Sequence, residues 1–389
     1  MRPNNGKYVL KQYLKMIIQG LFLPGVYRFY RHIPVIPRRM VFADAHHDSL
    51  PFSMQKMYEA AEQAGFEIID FFYDFGNMGM KAQLFSMIRF MKLYASAQYV
   101  FLCDYFLPAA SCRKKKETLA IQLWHSGGLL KTMGFAAPED IPPFYKLNPH
   151  GNYDLVTVSA PCCIPVFAAS MHLPKSVIRA TGISRSDVYF DQEFIESCKK
   201  DFYKQFPNAK RKKVVLWAPT FRGTAASPYL EGTEDILHLQ EELGDDWLVL
   251  IKAHPYLDRK ALISNCDIST ERLLPVTDLL ITDYSSVLFD YLLFEKPFVL
   301  FAPDYTTFEK ARGFYLDYSS LPGPVVTNGE KLAEIVQNTM ENPPWEALRK
   351  GRDFHMGCCD GRTTQRILSH IQKISEKRSM SCRNVFLRT

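Results

Sequence analysis

The chain has 389 residues, 47% hydrophobic and 23% charged, which excludes a disordered or fibrous chain and predicts two or three domains. Its 47 Lys and Arg against 41 Asp and Glu leave +6, an excess too small to define a partner until it is located. No apolar run is long enough for a spanning helix and no secretory cleavage pattern opens the chain, so neither a membrane span nor secretion is expected.

The first 40 residues hold eight basic side chains and no acid, while the remaining 349 hold 39 basic against 41 acidic. Leu10, Leu14, Ile17, Ile18 and Leu21 recur at helical spacing beside Lys11 and Lys15, and Pro24–Gly25 is expected to break that helix. Tyr27, Phe29 and Tyr30 follow among Arg28 and Arg31. Residues 1–39 therefore predict a basic amphipathic arm suited to an anionic membrane surface, although a helix packed on its own domain fits the same pattern. No basic stripe is read elsewhere, which argues against nucleic acid as a partner. The cysteines number nine, an odd count with adjacent pairs at Cys162–Cys163 and Cys358–Cys359. They predict buried or incidental thiols in a reducing cytoplasm rather than a disulfide frame or a metal site.

Beyond the arm, strands are predicted at Met40–Ala45, Phe66–Phe72, Gln98–Cys103, Leu119–Leu123, Leu155–Val158 and Ser176–Ala180. Helices are predicted at Ser53–Ala64, Lys81–Tyr94, Cys163–Met171 and Asp191–Phe206, with Lys114–Lys116 as a solvated loop tip and Pro207–Lys213 as a linker. A second alternating series has strands at Val214–Trp217, Trp247–Lys252, Leu279–Thr282 and Phe298–Phe301. Its helices lie near Glu234–Leu243 and start at Ser285, Glu330 and Trp345. Short apolar runs alternating with helices predict two parallel-sheet α/β domains, 40–206 and 207–375, followed by a basic tail 376–389.

In open parallel sheets ligands sit at the carboxyl ends of strands, so four motifs directly after strands carry the functional reading. In Leu123–Gly134 a strand ends in His125, able to take a proton at neutral pH, then in Ser126, Gly127 and Gly128, then in an expected helix bearing Lys131. In Leu216–Gly223, Pro219 and Thr220 precede Arg222, whose guanidinium fork suits phosphate. In Ile251–Pro255, Lys252 and His254 flank Ala253 and point to one side of the strand. In Thr277–Tyr291, Ser285 and Ser286 stand at an expected helix start suited to phosphate or to simple capping, and Asp290 comes just over a turn later, within reach of a ribose hydroxyl.

These motifs, with Asp278–Asp290 continuing into Pro297–Val326 and its Arg312-Gly313-Phe314-Tyr315, resemble the CDP-glycerol:poly(glycerophosphate) glycerophosphotransferases of teichoic acid synthesis. The resemblance implies a GT-B architecture, two Rossmann-like domains facing across a cleft. It makes His125 and His254 the catalytic histidines, and Pro219, Thr220, Lys252, Ala253, Ser285, Ser286 and Asp290 the donor-binding positions. Arg185, in Gly182-Ile183-Ser184-Arg185-Ser186-Asp187, resembles the family's Gly-x-x-Arg-x-Asp turn and would face the diphosphate. Arg222 and Arg312 fall on the phosphate side, and Ser126, Gly127, Gly128 and Lys131 on the acceptor or polyol side. There the family's Gly-Thr-Pro-Leu-Lys is replaced, which opens the identity of the polyol.

The reaction so implied moves a polyol phosphate, glycerol phosphate in the first instance, from a CDP-activated donor such as CDP-glycerol to a hydroxyl of a lipid-linked saccharide or polyol phosphate. CMP leaves, no cofactor or metal is required, and the site is a peripheral (monotopic) position on the cytoplasmic face of the membrane. A single-transfer, primase-like role is favoured by the chain's length. CDP-ribitol as donor, a GT-B glycosyltransferase using a nucleotide sugar, and a non-catalytic membrane-bound scaffold are the alternatives.

Overall fold

The structure, a computed structural model, describes residues 6–224, 227–253 and 264–386. The chain divides into two compact units. One, the N-terminal unit, comprises the described residues of Arg2–His125, Met133–Asp187 and Cys358–Thr389; the other, the C-terminal unit, comprises Ser126–Thr132 and those of Val188–Gly357.

The N-terminal unit is built on six parallel strands, β1 (Ile36–Asp44), β2 (Glu67–Phe72), β3 (Ala97–Leu102), β4 (Leu119–Gln122), β5 (Leu155–Thr157) and β6 (Ile178–Arg179), in the order β2-β1-β3-β4-β5-β6. Such a sheet is covered on both faces, which is why its strands read as short unbroken apolar runs. Met40, Phe42, Tyr99, Phe101, Leu119 and Ile121 pack on one side with Met54, Met57 and Ala61 of the segment 52–63, and with Ile367 and Ile371 of the C-terminal helix Thr363–Phe386. That helix was not foreseen, and it replaces the tail expected at 376–389. Its apolar Ile367, Leu368, Ile371 and Ile374 bind it to this unit rather than to the preceding one.

The C-terminal unit has five parallel strands, β7 (Lys213–Trp217), β10 (Trp247–Ile251), β11 (Leu279–Thr282), β12 (Phe298–Phe301) and β13 (Val325–Val326), ordered β10-β7-β11-β12-β13. A hairpin of β8 (Arg222–Thr224) and β9 (Ser227–Tyr229) follows β7. Trp217, Ile236, Leu239, Val249, Ile281 and Phe301 anchor its core. The helix Gln192–Gln205, capped by the Asp191 carboxylate, belongs here, so the division falls near 188 and not at 207.

Three local expectations change. Pro24 does not end the arm: the helical path runs through it, from Gly6–Ile17 across a π-helical turn Ile18–Phe22 into the helix Leu23–Tyr30. Lys114 and Lys115 are not solvated. Lys114 pairs with Asp154 at 2.8 Å, and the Lys115 ammonium donates to the carbonyls of Ala95 (2.9 Å) and Ile33. After His125 no helix forms. Residues 130–132 pair antiparallel with 313–315, through Thr132 N to Gly313 O at 3.1 Å and Tyr315 N to Leu130 O at 2.8 Å. Gly128, at φ +62°, lies so close to Phe289 that a Cβ would stand 2.4 Å from the ring.

The arm packs with inverted polarity. Gln12 and Gln19 are buried, and Gln19 donates to Asn148 O (2.8 Å) and accepts from the Tyr145 hydroxyl (2.6 Å). Leu10, Leu14, Ile17, Leu21 and Phe29 are exposed, Leu10 and Leu21 by more than 70%.

Candidate active site

Where the winding of an open sheet reverses, adjacent loops part and leave a crevice at the strand ends. In the N-terminal unit this point lies between β1 and β3, and four chemically active side chains gather there: Asp44 ending β1, His46 after it, Asp104 after β3 and His125 after β4. The His125 Nδ1 lies 3.1 Å from the carbonyl oxygen of Cys103. A carbonyl only accepts, so Nδ1 carries the proton and Nε2 keeps its lone pair. The same Nδ1 is 3.7 Å from Asp104 Oδ2, and His46 Nδ1 stands at 3.7 Å from that oxygen too. One carboxylate thus faces two imidazoles.

The histidine's backbone is held as firmly as its ring. Trp124, at φ +59°, stacks on it with ring centroids 4.7 Å apart, and the Trp124 amide donates to Gln122 Oε1 at 3.1 Å. The Arg185 guanidinium donates to the His125 carbonyl and lies 5.1 Å from the Phe52 ring centroid. Behind this set, Asp44 accepts from the amides of His46 and His47 at 2.8 and 2.9 Å and from His47 Nδ1 at 2.8 Å. Burial alone would raise the Asp44 carboxyl, but these bonds outweigh it and hold it below the usual range, and the same bond raises His47.

In the C-terminal unit the reversal lies between β7 and β11, and the loops beginning at Ala218 and Asp283 meet there. Asp283 ties them together: its Oδ1 accepts from the amides of Thr220 (2.7 Å) and Tyr284 (2.6 Å), and its Oδ2 from Arg222 at 2.9 Å. Arg222 also grips Asp304 through two nitrogens, at 2.7 and 2.9 Å, and donates to Thr220 O at 2.5 Å. Burial pushes the Asp283 carboxyl up against the pull of Arg222, whereas the hydrogen bond from Arg222 brings Asp304 down despite its own burial. Ser285 and Ser286 are half-buried above this clamp, before the helix Val287–Leu292.

The family model for CDP-Glycerol:Poly(glycerophosphate) glycerophosphotransferase matches residues 26–373. The chain belongs to this family. Over 383 residues this family member is 30% identical to the teichoic acid ribitol-phosphate primase of Bacillus spizizenii strain W23, covering 93% of the chain and 98% of the relative. It is 26% identical over 308 residues to the teichoic acid glycerol-phosphate primase of Bacillus subtilis strain 168, covering 74% and 77%. Its fold is that of the wall teichoic acid polymerase TagF, in a variant soaked with CDPG. The TM-score is 0.71 at 21% identity, over 97% of this chain and 99% of that one. It is an enzyme of the teichoic acid polyol-phosphate transferase family.

Within the transferase, His125 and Arg185 come together in the N-terminal unit, and Pro219, Thr220, Ser285 and Ser286 in the C-terminal unit. His254 lies outside the described residues. Arg222 is 8% exposed with four of its five donor positions engaged within its own unit, and Arg312 Nε donates to Thr132 O at 2.9 Å, holding the 130–132 segment. Asp290, on the helix Val287–Leu292, is buried at 2% exposed. Lys252 donates to Cys266 O at 2.9 Å, and the Ala253 amide to Ser264 Oγ at 2.9 Å. Asp44, His46, Asp104 and Asp283 were missed, although each stands at or just past a strand end, the position that singled out His125. Asp187, in the Gly-x-x-Arg-x-Asp turn, accepts from the amides of Thr363 and Thr364 (3.1 and 2.7 Å) and caps the C-terminal helix.

Proposed function

We propose that this transferase moves one polyol phosphate from a CDP-activated donor to a hydroxyl of a lipid-linked acceptor at the membrane surface, with release of CMP. His125 carries the proposal: with Nδ1–H committed to a carbonyl, Nε2 is the base that removes the acceptor proton as oxygen attacks the β-phosphorus. Asp104 stabilises the imidazolium that results. Arg185, the Thr220 and Ser285–Ser286 loops, Lys252 and His254 are proposed to bind the diphosphate and offset the charge that develops as CMP departs. The reading requires both units to serve one donor.

The polyol is read as ribitol phosphate and not, as first expected, glycerol phosphate. The ribitol-phosphate primase is matched over nearly its full length, which supports this reading. A single addition is the reading that the match to a primase supports. The exposed Leu10, Leu14, Ile17, Leu21 and Phe29, with Lys11 and Arg28 beside them, suit an arm lying in the interface of an anionic leaflet, where the lipid acceptor is concentrated.

His125→Asn tests the assignment. It is expected to lower transfer at least about a hundred-fold while donor binding by calorimetry stays within a few-fold. Retained transfer would remove His125 from the chemistry, and lost binding would make it a donor ligand instead.

A further inference from the structure

The C-terminal helix carries a feature that the transfer reaction does not use. Arg362, Arg366, His370, Lys373 and Lys377 follow at steps of four, four, three and four residues, so they line one face of the helix Thr363–Phe386 and the turn before it. Each four-residue step advances ~6 Å along the axis. Arg179, ending the edge strand β6, belongs to the same field. Among the described residues only Arg366 is neutralised, by Asp360 at 2.8 Å, and it also donates to Thr181 O. Among the described residues Arg179, Arg362, Lys373 and Lys377 have no carboxylate within ion-pair distance. Like charges at this spacing repel and weaken a helix, so the stripe is held at a cost to the fold.

The stripe borders a cavity. Thr181, Arg362, Arg366, Ser369, His370 and Lys373 line a groove of about 450 Å³. Burial, then Arg179, Lys373 and Lys377, lower the His370 pKa, a sign that the cations converge on this space. The helix amides are already taken by Asp187, so the positive potential here comes from side chains. The sequence reading, which found no basic stripe beyond the arm, missed it because Ile367, Leu368, Ile371 and Ile374 interleave it.

We propose that this groove binds a solvated polyphosphate or phosphodiester strand, with successive phosphates lying along the stripe of cations. Phosphate suits the arginine forks and the regular spacing. A lipid surface fits less well: among the described residues the exposed large apolar side chains of this unit lie between Leu10 and Phe29 and at Met80 and Phe85, and none of them lines the groove. Single-stranded nucleic acid fits less well too, because no Phe, Tyr or Trp lines the groove for bases to stack on. The inference rests on charge and shape and stands apart from the transferase reading.

The test uses the full chain and inorganic tripolyphosphate at low salt, followed by calorimetry and by the His370 ring proton resonances. Saturable binding is expected that shifts His370, persists in excess CMP, and weakens at least ten-fold in Arg362→Gln/Lys373→Gln, both exposed positions. Arg179→Gln, on a different element, is expected to weaken it several-fold and guards against a helix-folding artefact. The proposal is overturned if His370 does not respond, if the variants bind as the wild type does, or if CMP displaces the probe. Groove-dependent binding only to phosphatidylglycerol vesicles, or tighter binding of an oligonucleotide than of a phosphate chain, would overturn it as well.

Discussion

The catalytic proposal comes down to one nitrogen. The Cys103 carbonyl fixes where the proton of His125 sits, and Asp104 stands beside the same nitrogen at 3.7 Å, close enough to favour the charged ring once the acceptor proton has arrived. Asp104→Asn is therefore expected to lower kcat about ten-fold with the donor KM unchanged, and Asp104→Glu to recover part of the loss, as steady-state assays would register. A fall in donor affinity with kcat intact would make Asp104 a binding group. His125 was legible because a lone histidine at a strand end is conspicuous. Arg222 could not be placed from the sequence because the features that suit an arginine to phosphate suit it equally to two buried aspartates, and only tertiary structure decides which it meets. Asp104 escaped notice because an aspartate after a strand is also an ordinary turn residue.

At the level of elements, the strands were easy to read, because a strand buried on both faces is apolar throughout and ends abruptly in Gly, Pro or polar residues. What tertiary pairing creates was not. The 130–132 segment is extended because it meets 313–315, almost two hundred residues away, and local pattern carries no trace of that. The arm was expected to be amphipathic, and which face packs inward is settled by Gln12 and Gln19 being buried, Gln19 with partners inside. Since Leu23 and Tyr27 are core residues, deleting the arm would expose the domain beneath it, so the membrane proposal is better tested on the outer face. Leu10→Ser/Leu21→Ser is expected to leave thermal unfolding unchanged and to lower partition onto anionic vesicles at least ten-fold, two leucine side chains being worth about 3 kcal/mol or more when buried. Undiminished sedimentation with vesicles would assign membrane contact to another surface.

The two units of the whole chain share an acid-sensitive trait. His150 in the N-terminal unit and His355 in the C-terminal unit are buried, and burial depresses each to about 4. The unfolded imidazoles take up protons near pH 6.5 while the folded ones refuse them until about pH 4. Stability is therefore complete above pH 6.5 and falls as pH drops through that window, by up to about 1.4 kcal/mol per pH unit for each histidine. Urea midpoints between pH 7 and 4.5 are expected to show this slope, and His150→Phe to flatten the N-terminal unit's share. A slope untouched by that substitution would place the proton uptake elsewhere. The partition of the chain was only half legible: two parallel sheets could be read from alternation, but not the return of the last helix to the first unit, which depends on which core its apolar face completes.

The most direct measurement supplies a lipid-linked disaccharide acceptor in vesicles with radiolabelled CDP-ribitol or CDP-glycerol and resolves the products by length. A single ribitol phosphate per acceptor with stoichiometric CMP, and little incorporation from CDP-glycerol, is the expected result. Glycerol phosphate incorporation, long ladders, or no CMP from either donor would refute the assignment.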